Sequence, residues 1–164
     1  MKTIRRRRLE NKTDYKVRMK FLKSGAPRII FRRTNRYIIA EYAVSEEAKD
    51  RIVLGITSKA LLKKGWPEKM KGSLKSLSAS YLTGLLFGRE IAKKKLETPI
   101  LDIGMMRSMP KGRIFSFVRG LADSGIKMKC NPEFFPSEDR IKGKNMKNDF
   151  SSVFSKIKNE IEDK

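Results

Sequence analysis

Three short β-prone runs between residues 29 and 56 constrain the fold of this chain more than any other feature. The runs cover residues 29–31, 37–44 and 52–56, and they are rich in the β-branched and aromatic residues that favour strands. An arginine-rich polar segment separates the first two runs, and an acidic loop at residues 45–50 separates the second from the third. Short runs divided by turn-forming segments predict an antiparallel meander of three strands.

Helical stretches alternate with one more strand in the middle of the chain. Residues 77–95 place apolar side chains at helical spacing, which predicts a helix with a broad apolar face. A second helix is predicted at residues 113–123, between a loop with Pro110 and Gly112 and a stop near Gly125. The apolar run 100–103 between them is predicted to be a buried strand. The fold class that follows is α/β, with a mixed β-sheet that contains the antiparallel meander and is covered by helices.

Smaller signals refine this outline. Ser58 is expected to cap a short helix at residues 58–64, and residues 68–76 are expected to form a basic loop. Gly84 and Gly88 form a Gly-x-x-x-Gly pair, which indicates close packing of the first long helix on its sheet, because the apolar stretch is too short for a membrane contact.

The C-terminal segment is divided into a surface-running part and a helix. Residues 131–148 contain two prolines and several turn-forming residues. An amphipathic helix is predicted after them, because apolar residues recur there at intervals of three and four, at Phe150, Val153, Phe154, Ile157 and Ile161. Its apolar stripe fits the domain's own core or a neighbouring molecule, and we expect the former.

Positive charge is concentrated near the start of the chain. Residues 1–36 hold 14 basic and 2 acidic residues, a net of +12 out of +21 for the whole sequence. Such a concentration of like charge is tolerated most easily when a polyanion neutralises it. We therefore expect a basic arm at residues 1–25, an α/β core domain at residues 26–130, and a C-terminal extension at residues 131–164.

Three groups of residues are candidates for binding a nucleic acid, because arginine and lysine pair with phosphate and an aromatic ring stacks on an unpaired base. The arm contributes Arg5, Arg6, Arg7, Arg8, Lys12, Tyr15, Lys16, Arg18 and Lys20. The first hairpin contributes Arg28, Arg32, Arg33, Asn35 and Arg36. The glycine-bearing loop contributes Lys69, Lys71, Ser73 and Lys75, although it lacks the Walker pattern of a nucleotide-binding loop.

Catalytic and membrane functions find no support in the sequence. The chain has no histidine, so the usual general base and the commonest neutral metal ligand are missing. Cys130 has no second cysteine for a metal site or a disulfide, and it suits a reducing cytosol. Asp102 is more readily explained as a hydrogen-bonded structural carboxylate than as an acid catalyst. The basic start has no apolar segment behind it, which argues against a secretory signal, and the arm lacks the apolar face of a membrane-surface helix.

Several short motifs in the same order resemble the large-subunit ribosomal protein eighteen family, whose eukaryotic members are called large-subunit protein five. The motifs are Leu-Thr-Gly-Leu-Leu-Phe-Gly at residues 82–88, Leu-Asp-Ile-Gly at 101–104 and Phe-Pro-Ser-Glu-Asp-Arg-Ile-Lys-Gly at 135–143. The arginine leader and Lys-Thr-Asp-Tyr at residues 12–15 add to the resemblance, as do residues 24–28 and 111–115. The tail beyond Gly143 is similar to the archaeal form.

The resemblance implies a structural constituent of the large ribosomal subunit, located in the cytoplasmic ribosome, that binds 5S ribosomal RNA and needs no cofactor. It implies that the protein helps attach this RNA to the large ribosomal RNA in the central protuberance. Neighbouring large-subunit proteins, including protein five in the bacterial naming, are further implied partners. The RNA contacts it implies are the arginine leader, Lys12, Thr13, Tyr15, Arg18 and the arginines of the hairpin.

The chain departs from the family pattern in two places, and two rival functions remain. Lys144 and Asn145 stand where a histidine is common in the family, and the methionine-rich residues 105–110 are unusual. One rival is a general RNA-binding or RNA-processing protein; without histidine, cleavage would need clustered carboxylates and a divalent metal. The other is a DNA-binding or membrane-surface protein, which would prefer duplex DNA or anionic vesicles at matched ionic strength.

Overall fold

The structure is a computed structural model that describes residues 6–10, 12–145 and 149–163, with the side chains of all of these except Arg7 and Arg8. The elements are named in chain order. The four strands are β1 (Arg28–Arg33), β2 (Ile38–Glu46), β3 (Lys49–Thr57) and β4 (Ile100–Asp102). The helices are α1 (Arg6–Leu9), α2 (Tyr15–Ser24), α3 (Leu77–Lys93), α4 (Arg113–Asp123), α5 (Glu138–Lys142) and α6 (Ser151–Glu162).

The sheet confirms the predicted mixed α/β class and the meander. Its strand order is β3-β2-β1-β4, with β2 antiparallel to both β1 and β3 and with β4 parallel to β1. Because side chains alternate along a strand, Ile29 and Phe31 share one face of the sheet with Ala40 and Tyr42. These four residues are buried, so this is the inner face.

The turn between β2 and β3 differs from the acidic loop that the sequence predicted. Both strands continue into that segment, and Glu47 and Ala48 alone connect them. The two residues have φ values of 48° and 64°, which is the left-handed conformation that a tight two-residue hairpin requires. Asp50 therefore lies within β3 rather than in a loop, and the hairpin register determines its direction.

The inner face of the sheet is covered by α3 and α4. Phe117 of α4 packs against Phe31 of the sheet, with ring centroids 5.0 Å apart, and against Phe87 of α3. Gly84 and Gly120 let the two helices approach closely, because a Cβ atom at Gly84 would lie 2.3 Å from the carbonyl oxygen of Phe117. Gly84 thus packs on α4, and the prediction that it packs on the sheet was wrong about the partner.

The C-terminal helix α6 packs on the protein's own core, as expected. Phe154 of α6 lies against Tyr81 of α3, with ring centroids 5.5 Å apart, and Phe150 packs against Trp66 at 4.7 Å. Ile157 and Ile161 are buried in the same cluster. This cluster is separate from the one that contains the buried residues of the sheet, and it packs against the N-terminal half of α3.

Two short 3-10 helices connect β3 to α3. The first, Ser58–Lys64, occupies the predicted helix, but Thr57 rather than Ser58 precedes its first turn. The Ser58 hydroxyl instead accepts a hydrogen bond from the backbone N–H of Ile38, which joins this connection to the start of β2. The second, Glu68–Ser73, replaces most of the predicted basic loop.

Candidate nucleic-acid interface

Helix α2 brings the second half of the predicted basic arm into contact with the folded body. Asp14 caps its N-terminus, since its carboxylate accepts hydrogen bonds from the backbone N–H groups of Lys16 and Val17. Gly25, with a φ of 64°, ends the helix in the left-handed conformation and turns the chain into β1. No residue of α2 is buried, so polar contacts rather than a buried apolar face attach it to the body.

An ionic cluster joins α2 to the sheet. Arg18 donates from Nη1 to Oδ2 of Asp50 at 2.8 Å and from Nη2 to the carbonyl oxygen of Ala48 at 3.2 Å. Asp50 also accepts a hydrogen bond from Nη2 of Arg28 at 2.8 Å, and Arg28 Nη1 lies 3.1 Å from Oδ2 of Asp102. The cluster is thus a chain of alternating charges that starts at Arg18 of α2 and continues on the outer face of the sheet through Asp50, Arg28 and Asp102.

The charge state of this cluster is well defined. Partial burial acts to raise the pKa of Asp50, but hydrogen bonds from Arg18 and Ser45 and the charges of Arg28 and Arg18 outweigh it and lower the pKa to about 2. Asp50 is therefore ionised at neutral pH. Asp102 accepts a second hydrogen bond from the backbone N–H of Gly104 at 2.8 Å, which confirms its predicted role as a structural carboxylate.

Arg28 has a structural role, in contrast to the RNA contact predicted from its sequence context. Its side chain is only 2% exposed, and the ring of Phe21 from α2 lies 5.8 Å from its guanidinium carbon. The guanidinium group compensates two carboxylates where α2 covers the outer face of the sheet, so it is withheld from solvent. Sequence spacing alone could not distinguish it from its exposed neighbours in β1.

The remaining candidates that the structure describes differ in exposure. The exposed ones are Arg6, Lys12, Lys16, Lys20, Arg32, Arg33, Asn35, Arg36, Lys69 and Lys71. The half-buried ones are Thr13, Tyr15, Arg18, Ser73 and Lys75. Arg5 and the side chains of Arg7 and Arg8 lie outside the described part of the chain.

Many of the exposed cations have no acidic partner in the described structure. Lys20, Arg33 and Arg36 form no ion pair with any residue that the structure describes, and Arg32 has only a long contact of 3.9 Å to Glu41. Lys12 and Lys71 do pair, with Glu10 and Glu68, but both pairs are exposed and solvent-screened. The positive charge of Lys20 on α2 and of Arg33 and Arg36 on the β1–β2 hairpin is therefore not neutralised within the described structure, which favours binding of an anion.

One cation beside the hairpin was not predicted from the sequence. Nζ of Lys59, in the first 3-10 helix, lies 4.6 Å from the centroid of the Tyr37 ring at the start of the second predicted run. This contact places Lys59 next to the turn that carries Asn35 and Arg36. No local pattern signals it, because Lys59 and Tyr37 are brought together only by the folding of the β2–β3 meander.

Three observations on the described residues concern metal binding, thiol reactivity and membrane spans. Within residues 6–10, 12–145 and 149–163, no group of three or more histidine, cysteine, aspartate or glutamate residues is placed to hold a metal ion. Burial raises the pKa of the Cys130 thiol, which makes it less reactive. None of the helices in the described ranges has the length and hydropathy to cross a bilayer.

Comparison with known proteins gives one consistent result. Residues 1–99 match the family model of ribosomal large subunit proteins 60S L5 and 50S L18. Large ribosomal subunit protein uL18 of Korarchaeum cryptofilum is 41% identical over 86% of this chain and 70% of its own length. The uL18 proteins of Methanoregula boonei and Methanoculleus marisnigri are 38% and 39% identical over 86% and 84% of this chain, and over 79% and 77% of their own lengths.

These matches agree with the resemblance found in the short motifs. They extend over most of the α/β fold and include the basic N-terminal region. The named relatives are ribosomal structural proteins, which confirms that the protein is not an enzyme. The chain therefore belongs to the family of ribosomal large subunit proteins 60S L5 and 50S L18, and it is a structural component of the large ribosomal subunit.

Proposed function

We propose that this protein binds 5S ribosomal RNA and helps attach it to the large ribosomal RNA in the central protuberance. Neighbouring large-subunit proteins, including protein five in the bacterial naming, are its proposed protein partners. The observation that carries the proposal is the set of exposed cations on α2 and the β1–β2 hairpin that lack an acidic partner in the described structure. The family resemblance supplies the identity of the RNA.

The proposed contacts form three groups. The N-terminal group is the arginine leader Arg5 to Arg8 with Lys12, Thr13, Tyr15 and Lys20, and the hairpin group is Arg32, Arg33, Asn35, Arg36 and Lys59. Lys71 and Lys75 form a smaller peripheral group. Arg28 is omitted, and Arg18 is assigned to positioning α2, because both guanidinium groups are engaged with carboxylates. Phosphate contacts supply most of the affinity, and RNA shape and unpaired bases supply specificity.

A competition titration tests the proposal. The full chain is titrated with labelled cognate 5S RNA against an unlabelled structured RNA of equal length, at 50 and 200 mM salt. Engagement of about six to ten phosphates lowers the affinity by roughly three to five decades between these salt concentrations. We expect the preference for 5S RNA to persist at the higher salt. Equal binding of the two RNAs at both salt concentrations would leave only a general RNA-binding protein.

A truncation separates the contribution of the leader from that of the body. A chain that begins at Asp14 retains the cap of α2 and the contact of Arg18 with Asp50. We expect it to fold like the full chain by circular dichroism and to bind 5S RNA much more weakly. Unchanged affinity of this truncated chain would exclude the leader from the interface.

A further inference from the structure

A groove of about 600 Å³ lies between helix α2 and the outer face of the sheet. Ile30 of β1 contributes to its sheet side, and Phe21 of α2 contributes to one wall. Met105 and Met106, which follow β4, contribute to the other wall. The volume falls within the range of about 300 to 1,000 Å³ that is typical of sites for small molecules, and it is far too small for a double helix.

The groove is preformed because contacts with the sheet hold helix α2, which forms one of its walls, in place. The contacts of Arg18 with Asp50 and Ala48 attach α2 to the β2–β3 hairpin on one side of the groove. Phe21 packs over the guanidinium group of Arg28, which is itself anchored to Asp50 and Asp102. A ligand in this groove therefore meets a wall that is already ordered, which lowers the entropic cost of binding.

The charge that remains available in the groove is positive. Asp50 and Asp102 are neutralised by Arg18 and Arg28 within the ionic cluster. Three further cations line the groove, Lys12, Arg32 and Arg33, against one further carboxylate, Asp14, and of these cations Arg33 has no ion-pair partner in the described structure. The lining combines apolar side chains, among them Phe21, Ile30 and Met106, with charged residues of which most are cations. Such a mixed surface is complementary to a group that is flat and apolar at one end and anionic at the other.

From this complementarity we infer that the groove binds a single unpaired nucleotide of the RNA. The base packs against Phe21, Ile30 and Met106, and its phosphate is bound by Arg33, the lining cation without an ion-pair partner in the described structure. Unpaired bases that leave the RNA stack are commonly held in this way, by apolar or aromatic contacts together with arginine. This inference rests on the proposed function and adds a defined site to it.

Zero-length ultraviolet crosslinking of the full chain to cognate 5S RNA, followed by mass spectrometry, tests the site. We expect nucleotide adducts on the peptides that contain Phe21 or Met105 and Met106, and on an unpaired position of the RNA. Adducts confined to other peptides, or attached only to paired positions of the RNA, would overturn the inference.

A matched pair of variants provides the second test. Ile30→Trp fills the groove, whereas Ile39→Trp places the same side chain on the same outer face of the sheet but outside the groove. We expect Ile30→Trp to abolish the groove adducts and to weaken binding of 5S RNA roughly tenfold, the effect of losing one stacked base. Ile39→Trp is expected to retain the groove adducts and the wild-type affinity for 5S RNA.

Three outcomes count against the groove. Adducts that persist in Ile30→Trp, equal losses in both variants, and wild-type affinity in both variants each overturn it. Circular dichroism verifies that the variants are folded. If Ile30→Trp does not fold, the positions of the adducts in the wild-type protein alone test the inference. Failure of the proposed function is visible separately, as loss of the wild-type preference for 5S RNA over the control RNA.

Discussion

Arg28 and Asp50 belong to strands β1 and β3, which are not neighbours in the sheet, yet Nη2 of Arg28 lies 2.8 Å from Oδ1 of Asp50. The same guanidinium group reaches Asp102 of β4 through Nη1. One buried side chain thus connects three strands on the outer face of the sheet. Arg18 extends the connection to α2, so the stability of the fold and the position of the basic helix depend on a common cluster.

Removal of the Arg28 charge is expected to destabilise the fold strongly. Arg28→Met leaves Asp50 and Asp102 without their buried partner, which costs about 3 kcal/mol of unfolding free energy, near the lower end of the usual range because both carboxylates are partly solvated. Arg32→Met is the matched control on the same strand face: its side chain is 63% exposed, and the expected cost is below about 1 kcal/mol. Denaturant unfolding measures both, and equal losses would contradict a special role for Arg28.

Arg18 and Lys20 are expected to act differently in RNA binding, although both are cations of α2. Lys20 is exposed, so Lys20→Gln should reduce the slope of log affinity against log salt by about one phosphate contact. Arg18→Gln should weaken binding with little change of slope, and it should accelerate hydrogen exchange of the α2 amides, because it releases the helix from Asp50. A reduced slope in Arg18→Gln would instead identify Arg18 as a phosphate contact.

The ionic cluster predicts a loss of stability in acid. The pKa of Asp50 is about 2 in the folded protein, below the value of about 3.9 of an unfolded aspartate, so the unfolded state binds the proton more readily. The stabilisation is therefore complete above about pH 5 and is lost as the pH falls through 4 toward 2. Thermal unfolding across this range should show a shallower pH dependence in Asp50→Asn than in the wild type. Parallel curves would exclude Asp50 as a source of the acid sensitivity.

The close approach of α3 and α4 should not tolerate an added methyl group. A Cβ atom at Gly120 would lie 2.2 Å from the carbonyl oxygen of Tyr81, so Gly120→Ala forces the helices apart and should cost about 1–3 kcal/mol. Gly72→Ala serves as the control, because no atom lies within 4 Å of its added Cβ. Its effect should stay within about 0.5 kcal/mol. Similar melting temperatures for the two variants would contradict the observed helix packing.

The contribution of α6 to the core can be measured at one aromatic residue. Phe154 is buried against Tyr81, and Phe154→Ala should lower the unfolding free energy by about 3–5 kcal/mol. Phe134, which is partly exposed, provides the comparison, and Phe134→Ala should cost clearly less. If both variants unfold at the same denaturant concentration, α6 does not belong to the cooperative core.

The sequence by itself determined the order and type of the main elements. The three β-prone runs became the meander, and the two stretches predicted as helices, residues 77–95 and 113–123, became α3 and α4. The burial of the apolar stripe of α6 was also predictable. These features follow from local patterns, because alternation and helical spacing are properties of neighbouring residues and each apolar face must find cover.

Only the tertiary structure decided which polar residues face the solvent and which hold the fold together. Arg28 and Arg32 are indistinguishable by type and spacing, yet the first is buried among carboxylates and the second is exposed. Gly84 could have packed on the sheet but packs on α4, and Lys59 reaches Tyr37 across the meander. The physical reason is that these contacts join residues far apart in the chain, so their partners are set by strand register and helix packing rather than by local sequence.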